Sequence, residues 1–219
     1  MIEITNIEVQ GFEAAIRGCR NSWDSHEKSD SPDNRGCKTI ILGDNDRELL
    51  LRLVKAGDSH AKCMRMITVW FDLTAPRYFW TEFDTYHHVV RCSESTMHTI
   101  TKRELTVDDF SIDSFDNPYN RNSVAYVLDV LNLFIRQFRE TDGTEPAHRW
   151  WWRRIIQFLP QSYMQKSTIC TNYQVLRNMY HQRKGHRLSE WQEFREWVET
   201  LPYSELITAV SGREEIVTP

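Results

Sequence analysis

No two cysteines in this sequence are spaced as CxxC, and the five present (Cys19, Cys37, Cys63, Cys92 and Cys170) are scattered and odd in number. Neither a zinc ribbon nor a disulfide framework is indicated, and the thiols are expected to be reduced. No apolar run approaches the length that spans a bilayer, and the mean hydropathy is −0.57. The opening MIEITNIEVQGF carries acidic residues and no basic flank before an apolar core. It does not read as a secretion signal, so a cytoplasmic location is expected. Positive charge is not in excess either: the formal net charge is −4 and the pI about 6.1. That argues against a chain built chiefly to coat nucleic acid or an acidic membrane, while leaving room for a local basic pocket. The expected partners are small molecules or protein. No internal repeat stands out, and 219 residues suffice for one sizeable core, so a single domain over 1–219 is expected.

Aromatic residues are plentiful, with eight tryptophans and eight tyrosines. They suit a core, an oligomer interface or stacking on a planar cofactor, and composition does not separate these. Residues 3–9 are β-rich and predict a first or edge strand, and Phe12 to Ile16 predict a short amphipathic helix. Residues 20–36 form a polar stretch that reads as a surface loop. Asp44 or Asn45 can cap a helix that presents Leu49, Leu50, Leu53 and Val54 on one face and stops at Gly57. Alternation of Ile67, Val69, Phe71 and Leu73 with polar neighbours predicts a strand, after which Ala75-Pro76 opens a helix with Pro76 at its first position. Residues 88–104 read as a binding loop or short strand. Helices are predicted over 122–139, from Pro146 to Pro160, and from Ser189, which forms a capping box with Gln192. This mixture indicates an α+β fold.

The stretch from Pro160 to Trp197 concentrates a proline stop, amides and cations in consecutive turns. The β-prone Thr168-Ile169-Cys170 extends the chain, and Thr171 or Asn172 can cap a helix through Tyr173, Leu176, Met179 and Tyr180. At about 100° per residue, Arg183 returns to within roughly 20° of the Asn172 face. One helix can thus present an amide near its start and a guanidinium near its end, which suits a long, flat, anionic ligand.

Leu-Pro, Thr-Asn (Asn172), Leu-x-Asn (Leu176, Asn178), Arg183 and His186, in that order, resemble the C-terminal signature of the flavin-dependent thymidylate synthases. Upstream, the order helix, Gly57, strand, Ala75-Pro76, helix continues to Ser95, which stands where that family's Arg-His-Arg-x7-Ser motif has its serine. The three leading residues differ, being Thr85, Tyr86 and His87. Arg20-Asn21-Ser22 resembles the family's Arg-x-Ser. The resemblance implies an α+β domain with an antiparallel or mixed sheet and several helices, assembling as a homotetramer with FAD and nucleotide at subunit interfaces. It implies FAD-dependent reductive methylation of dUMP, with NADPH and methylenetetrahydrofolate as co-substrates. C5 modification of another pyrimidine nucleotide, or a family-fold protein that has lost catalysis and binds nucleotide or protein, are the alternatives.

The resemblance assigns Arg183 to catalysis and, with Glu82, Ser95 and Thr96, to the substrate. It assigns Ser22, Tyr86, His87, His88, Asn172 and Asn178 to the cofactor. Each has a plainer reading. Arg183 can be a helix-terminal cation favoured by the dipole, Asn172 a cap, Asn178 an exposed polar residue, and Ser95 part of a small polar loop. Gln174 replaces an arginine that the family often carries, removing a charge. The His87-His88 pair has no spaced third ligand, so no metal is expected. His98 and Asp84 do not license a serine-nucleophile triad, and a hydrolase is rejected. Trp150-Trp151-Trp152 with Arg153 and Arg154 can suggest stacking on single-stranded nucleic acid, but consecutive helical residues point apart, and core or interface burial is the better reading.

Overall fold

Burial alternates residue by residue from Ile67 to Ala75, and this stretch supplies the central strand of the molecule. The structure is a computed structural model that describes residues 1–33, 40–113, 118–210 and 212. Cys37, Thr39 and positions 34–36 of the polar loop lie outside the described residues.

Four strands form an antiparallel sheet in the order β1-β2-β4-β3, where β1 is Glu3–Gln10, β2 Thr68–Pro76, β3 Val90–Ser93 and β4 Met164–Asn172. The first strand is at an edge of the sheet. On β2, Val69, Phe71, Leu73 and Ala75 are buried while Thr68, Trp70, Asp72 and Thr74 are half-buried, the signature of a sheet with one deeply covered face. The helices are α1 (Phe12–Asn21), α2 (Asp44–Lys55), α3 (Arg77–Phe83), α4 (Thr96–Thr99), α5 (Pro118–Glu140), α6 (Pro146–Phe158), α7 (Tyr173–Gln182), α8 (Ser189–Glu199) and α9 (Glu205–Thr208). The fold class is α+β, as expected.

The chain divides into two compact units. One comprises residues 4–73, 84–91 and 168–219 and holds α1, α2, α7, α8 and α9. Its core includes Phe12, Leu50, Met64, Tyr173, Leu176, Met179, Trp191 and Phe194, all at most 2% exposed. Burial of each such side chain contributes about 1.5–3 kcal/mol. Gly11 (φ +99°) turns β1 into α1, and only glycine fits there, since a Cβ would lie 2.0 Å from the Met66 carbonyl oxygen.

The other unit comprises residues 1–3, 74–83 and 92–167 and is organised on the α5–α6 hairpin. Leu131, Ile135, Ile155 and Leu159 pack with Ile100, Leu105, Phe110 and Tyr163. Asn132 pins the preceding loop by accepting from the Leu105 N–H at 2.7 Å and donating to its carbonyl at 2.9 Å. The three consecutive tryptophans are not core residues within this chain. Trp150 is 47% exposed under the Arg154 guanidinium, 4.7 Å away, and Trp151 and Trp152 are half-buried.

Three helix starts differ from expectation. Pro76 ends β2, and α3 begins at Arg77, because the Arg77 and Tyr78 N–H groups donate to the carbonyls of Tyr163 (3.1 Å) and Gln161 (3.2 Å) instead of needing a helical proline. Neither Asp44 nor Asn45 caps α2. Asp30 does so from the preceding loop, its carboxylate accepting from the Asn45 N–H at 3.0 Å and the Asp46 N–H at 3.2 Å. Ser189 is the first residue of α8 and makes no capping box. Gln192 turns away from it and donates to the carbonyls of Arg183 and His186.

Candidate functional site

β4 passes directly into α7 at Asn172, an extended residue (φ −139°, ψ 167°) whose side-chain oxygen accepts from the Val175 N–H at 3.1 Å. Asn172 is thus the helix cap that its position predicts. The Tyr173 N–H is satisfied outside the helix by the Ile67 carbonyl at 3.0 Å, which ties the start of α7 to the residue before β2. The helix is then buried on almost every side: Tyr173, Gln174, Val175, Leu176, Arg177 and Met179 are all covered. A buried helix of this kind is a rigid mount for what lies at its two ends.

At the N-terminal end is a row of amides. Gln174 is only 5% exposed, and its amide nitrogen donates to Asp58 Oδ1 and Asn178 Oδ1, both at 3.2 Å. Gln174 and Asn178 meet because they are four residues apart on one face. The Gln174 oxygen is buried without a hydrogen-bond partner. A buried acceptor left unmade costs about 1–3 kcal/mol, so the site is chemically suited to a ligand N–H. Asn178, the outer member of the row, is exposed.

The C-terminal end carries Arg183, the residue that closes α7. Gly185 (φ +70°) turns the chain, and Gln192 secures that turn from α8. The Arg183 guanidinium lies 4.5 Å from the Trp191 ring and 5.3 Å from the Tyr86 ring, and its Nε donates to Tyr86 Oη at 2.8 Å. Trp191 is fully buried and meets Tyr86 edge-on at 6.1 Å and His186 at 6.3 Å. Tyr86 reaches this position from the segment between α3 and β3. That segment is anchored by an Arg91–Asp84 ion pair at 3.2 Å and by the His88 carbonyl, which accepts from Thr171 Oγ1 at 3.5 Å. His88 itself has the left-handed φ of 61°, a conformation that costs a non-glycine residue about 1–2 kcal/mol.

Of the residues singled out from sequence, Arg183 and Tyr86 are brought into contact, and Asn172 and Asn178 lie on the helix that Arg183 closes. His87 and His88 are exposed on the Tyr86 segment. Ser22 is exposed at the C-terminal cap of α1. Arg20, two residues before it, is buried and spent on structure: Nε donates to Asp46 Oδ1 at 2.7 Å, Nη1 to the Ser25 carbonyl and Nη2 to the Lys28 carbonyl. Glu82, Ser95 and Thr96 belong to the other unit. There Ser95 precedes α4, its carbonyl accepting from Thr99 Oγ1 at 3.0 Å, and Thr96 Oγ1 accepts from Gln165 Nε2 at 3.2 Å. Glu82 is half-buried on α3.

Sequence reasoning missed three participants. Trp191 reads in sequence only as an apolar position of α8, and Gln174 only as the loss of an arginine. Arg177, buried in mid-helix, donates to the carbonyls of Ile207 and Ala209 and holds the chain beyond α9 against α7. A cation flanked by apolar positions was the available signal for that last role.

No family model matches the sequence, and no curated protein matches it. Solved structures do resemble the fold. Thymidylate synthase X from Helicobacter pylori, in a crystal structure with FAD and dUMP, superposes with a TM-score of 0.67 over 94% of this chain and 96% of that one, at 18% identity. A second structure of the flavin-dependent enzyme from the same organism, complexed with FAD and dUMP, gives 0.63 over 95% and 99%, at 17% identity. The UMP/dUMP methylase PolB from Streptomyces cacaoi, bound with 5-Br dUMP, gives 0.59 over 96% and 95%, at 13% identity. Across nearly its whole length, this chain has the fold of the flavin-dependent thymidylate synthases.

Proposed function

We propose that the protein is an FAD-dependent enzyme that methylates dUMP at C5 to give dTMP, with methylenetetrahydrofolate as the one-carbon donor and NADPH as the reductant. The observation that carries this reading is Arg183, a guanidinium held at the end of a buried helix in a fold whose neighbours are bound to dUMP or its 5-bromo analogue. Attack through C5 of a uracil moves charge onto its carbonyl oxygens, where a fixed, planar donor set stabilises it.

The amide row fits a flavin. A buried acceptor without a partner, on the amide that meets Asn178, complements the donor and acceptor edge of an isoalloxazine ring. Gln174, Asn178 and Asn172 are the residues that would hold that edge, with Ser22, His87 and His88 as further polar groups on the cofactor side. When bound, the flavin supplies the hydride that the reduction needs. Ser95 and Thr96 are hydroxyls suited to a nucleotide phosphate, and Glu82 completes the substrate set. The protein's own contribution is to orient the nucleotide and to place positive charge where the carbonyl oxygens become electron-rich. We further propose a single functional domain over 1–219, a homotetramer and a cytoplasmic location.

Two measurements test the reading. Protein purified with added FAD is expected to carry bound-flavin absorbance, and with both co-substrates it is expected to release tritium from [5-3H]dUMP. A colourless protein with no FAD affinity overturns it. Bound FAD with no release from dUMP, but release from another C5-tritiated pyrimidine nucleotide, moves the substrate and keeps the chemistry.

A further inference from the structure

The resemblance assigns Tyr86 to the cofactor, and its hydroxyl accepts from Arg183 Nε, a contact that points to another task. A guanidinium can make two-point contacts through either of two kinds of edge, one that includes Nε and one formed by Nη1 and Nη2. The Nε hydrogen points at Tyr86 Oη, 2.8 Å away, so the edge that includes it is engaged within the protein. The same guanidinium carbon stands 5.3 Å from the Tyr86 ring and 4.5 Å from the Trp191 ring. Trp191 cannot shift easily, being fully buried against Phe194 at 5.7 Å. Tyr86 is fixed in turn by the anchored segment that carries it. An arginine at a helix end otherwise samples many rotamers, and ordering it costs up to about 2 kcal/mol.

We infer that Tyr86 is a positioning residue for Arg183: with Trp191 it holds the guanidinium in one orientation for a planar, oxygen-bearing ligand. This rests on the reading that Arg183 meets the pyrimidine. It makes Tyr86 a determinant of nucleotide binding and leaves the flavin unaffected by it. A merely structural role, in which the phenol simply satisfies its polar tip, predicts no effect on ligand affinity.

The test uses Tyr86→Phe, which keeps the ring and removes the acceptor. Two readouts are compared with wild type: the dissociation constants of dUMP and of FAD by titration, and the Arg183 Nε–Hε resonance by NMR, assigned by its loss in Arg183→Lys. With the guanidinium no longer held, dUMP is expected to bind about tenfold more weakly, the order of the rotamer freedom that must then be lost on binding. The Nε–Hε signal is expected to be protected from exchange in the wild type and lost or broadened in Tyr86→Phe, with FAD affinity unchanged. Unchanged dUMP affinity in Tyr86→Phe overturns the inference, as does a variant that weakens FAD and leaves dUMP alone. Should the wild type bind no dUMP, the pyrimidine reading of Arg183 fails. The resonance then still decides whether Tyr86 holds the guanidinium: loss in Tyr86→Phe supports it and persistence overturns it.

Discussion

Two arginines illustrate how the same side chain is put to different ends by what surrounds it. Arg20 donates from all three nitrogens, to Asp46 and to two loop carbonyls, and at 4% exposed it is committed to the fold. Asp46 is buried, which by itself raises a carboxyl pKa, but hydrogen bonds from Ser31, Ser29 and Arg20 outweigh the burial and hold it below the usual value of 3.8. A depressed folded-state pKa contributes stability that is fully present above the unfolded value and is lost as pH falls through the folded one. Wild-type stability is therefore expected to decline below about pH 4, in part through Asp46, and this part of the decline should vanish in Asp46→Asn. Asp46→Ala, which strands a buried guanidinium, is expected to cost about 3–5 kcal/mol in urea unfolding. Arg183 is a different case, a cation flanked by the Tyr86 and Trp191 rings. If its planar fork carries the catalytic role proposed for it, Arg183→Lys should lose nearly as much tritium release as Arg183→Ala, because an ammonium cannot reproduce the donor geometry, while FAD titration should be unchanged in both. Full activity in Arg183→Ala would refute the assignment.

Among the elements, α2 is the clearest instance of a helix started from outside itself. Asp30, fourteen residues before the first helical position, does the work that sequence assigns to Asp44 or Asn45. Asp30→Ala is expected to lower stability by about 1 kcal/mol, the usual worth of a cap, and Asp44→Ala by much less. Gly43 leaves the room: a Cβ there would lie 2.2 Å from Asp30 Oδ1, so Gly43→Ala should displace the cap and match or exceed the Asp30→Ala loss. Equal stability of Asp30→Ala and wild type in thermal or urea unfolding would remove Asp30 from this role. α7 is the other informative element. Its cap, Asn172, is local and is visible in sequence, whereas the bond from the Tyr173 N–H to Ile67 joins positions more than a hundred residues apart.

For the whole molecule, the α5–α6 hairpin leaves more apolar surface than a lone chain has reason to expose. Tyr126 is 71% exposed, Leu133 46%, Trp150 47% and Phe158 54%. Exposed apolar side chains of this kind suit an interaction surface, and the proposed homotetramer would cover them. Sedimentation equilibrium is expected to give four times the 26.1 kDa chain mass, and Leu133→Glu to shift the population towards smaller species. A stable wild-type monomer at micromolar concentration would count against the tetramer and against the proposed site as well, since in the family that the chain resembles the site is built at subunit interfaces. Among the described residues no helix is long and apolar enough to cross a membrane.

The sequence alone was enough for whatever depends on near neighbours. The alternation from Ile67 to Leu73 announced β2, the period of α5 and α8 announced their buried faces, and Asn172 before a helical run announced its own cap, because each is decided within a few residues. The order of amide, amide and guanidinium at 172, 178 and 183 was legible for the same reason. Tertiary structure alone decided which of these groups meet others. It replaced Pro76 as a helix opener with carbonyls from residues 161 and 163, and it turned Arg20 into a core ion pair. It also set Tyr86 and Trp191 around Arg183. Most of those contacts join positions far apart in the chain, and their free energy exists only once packing has excluded water around them, which no local pattern of residues records.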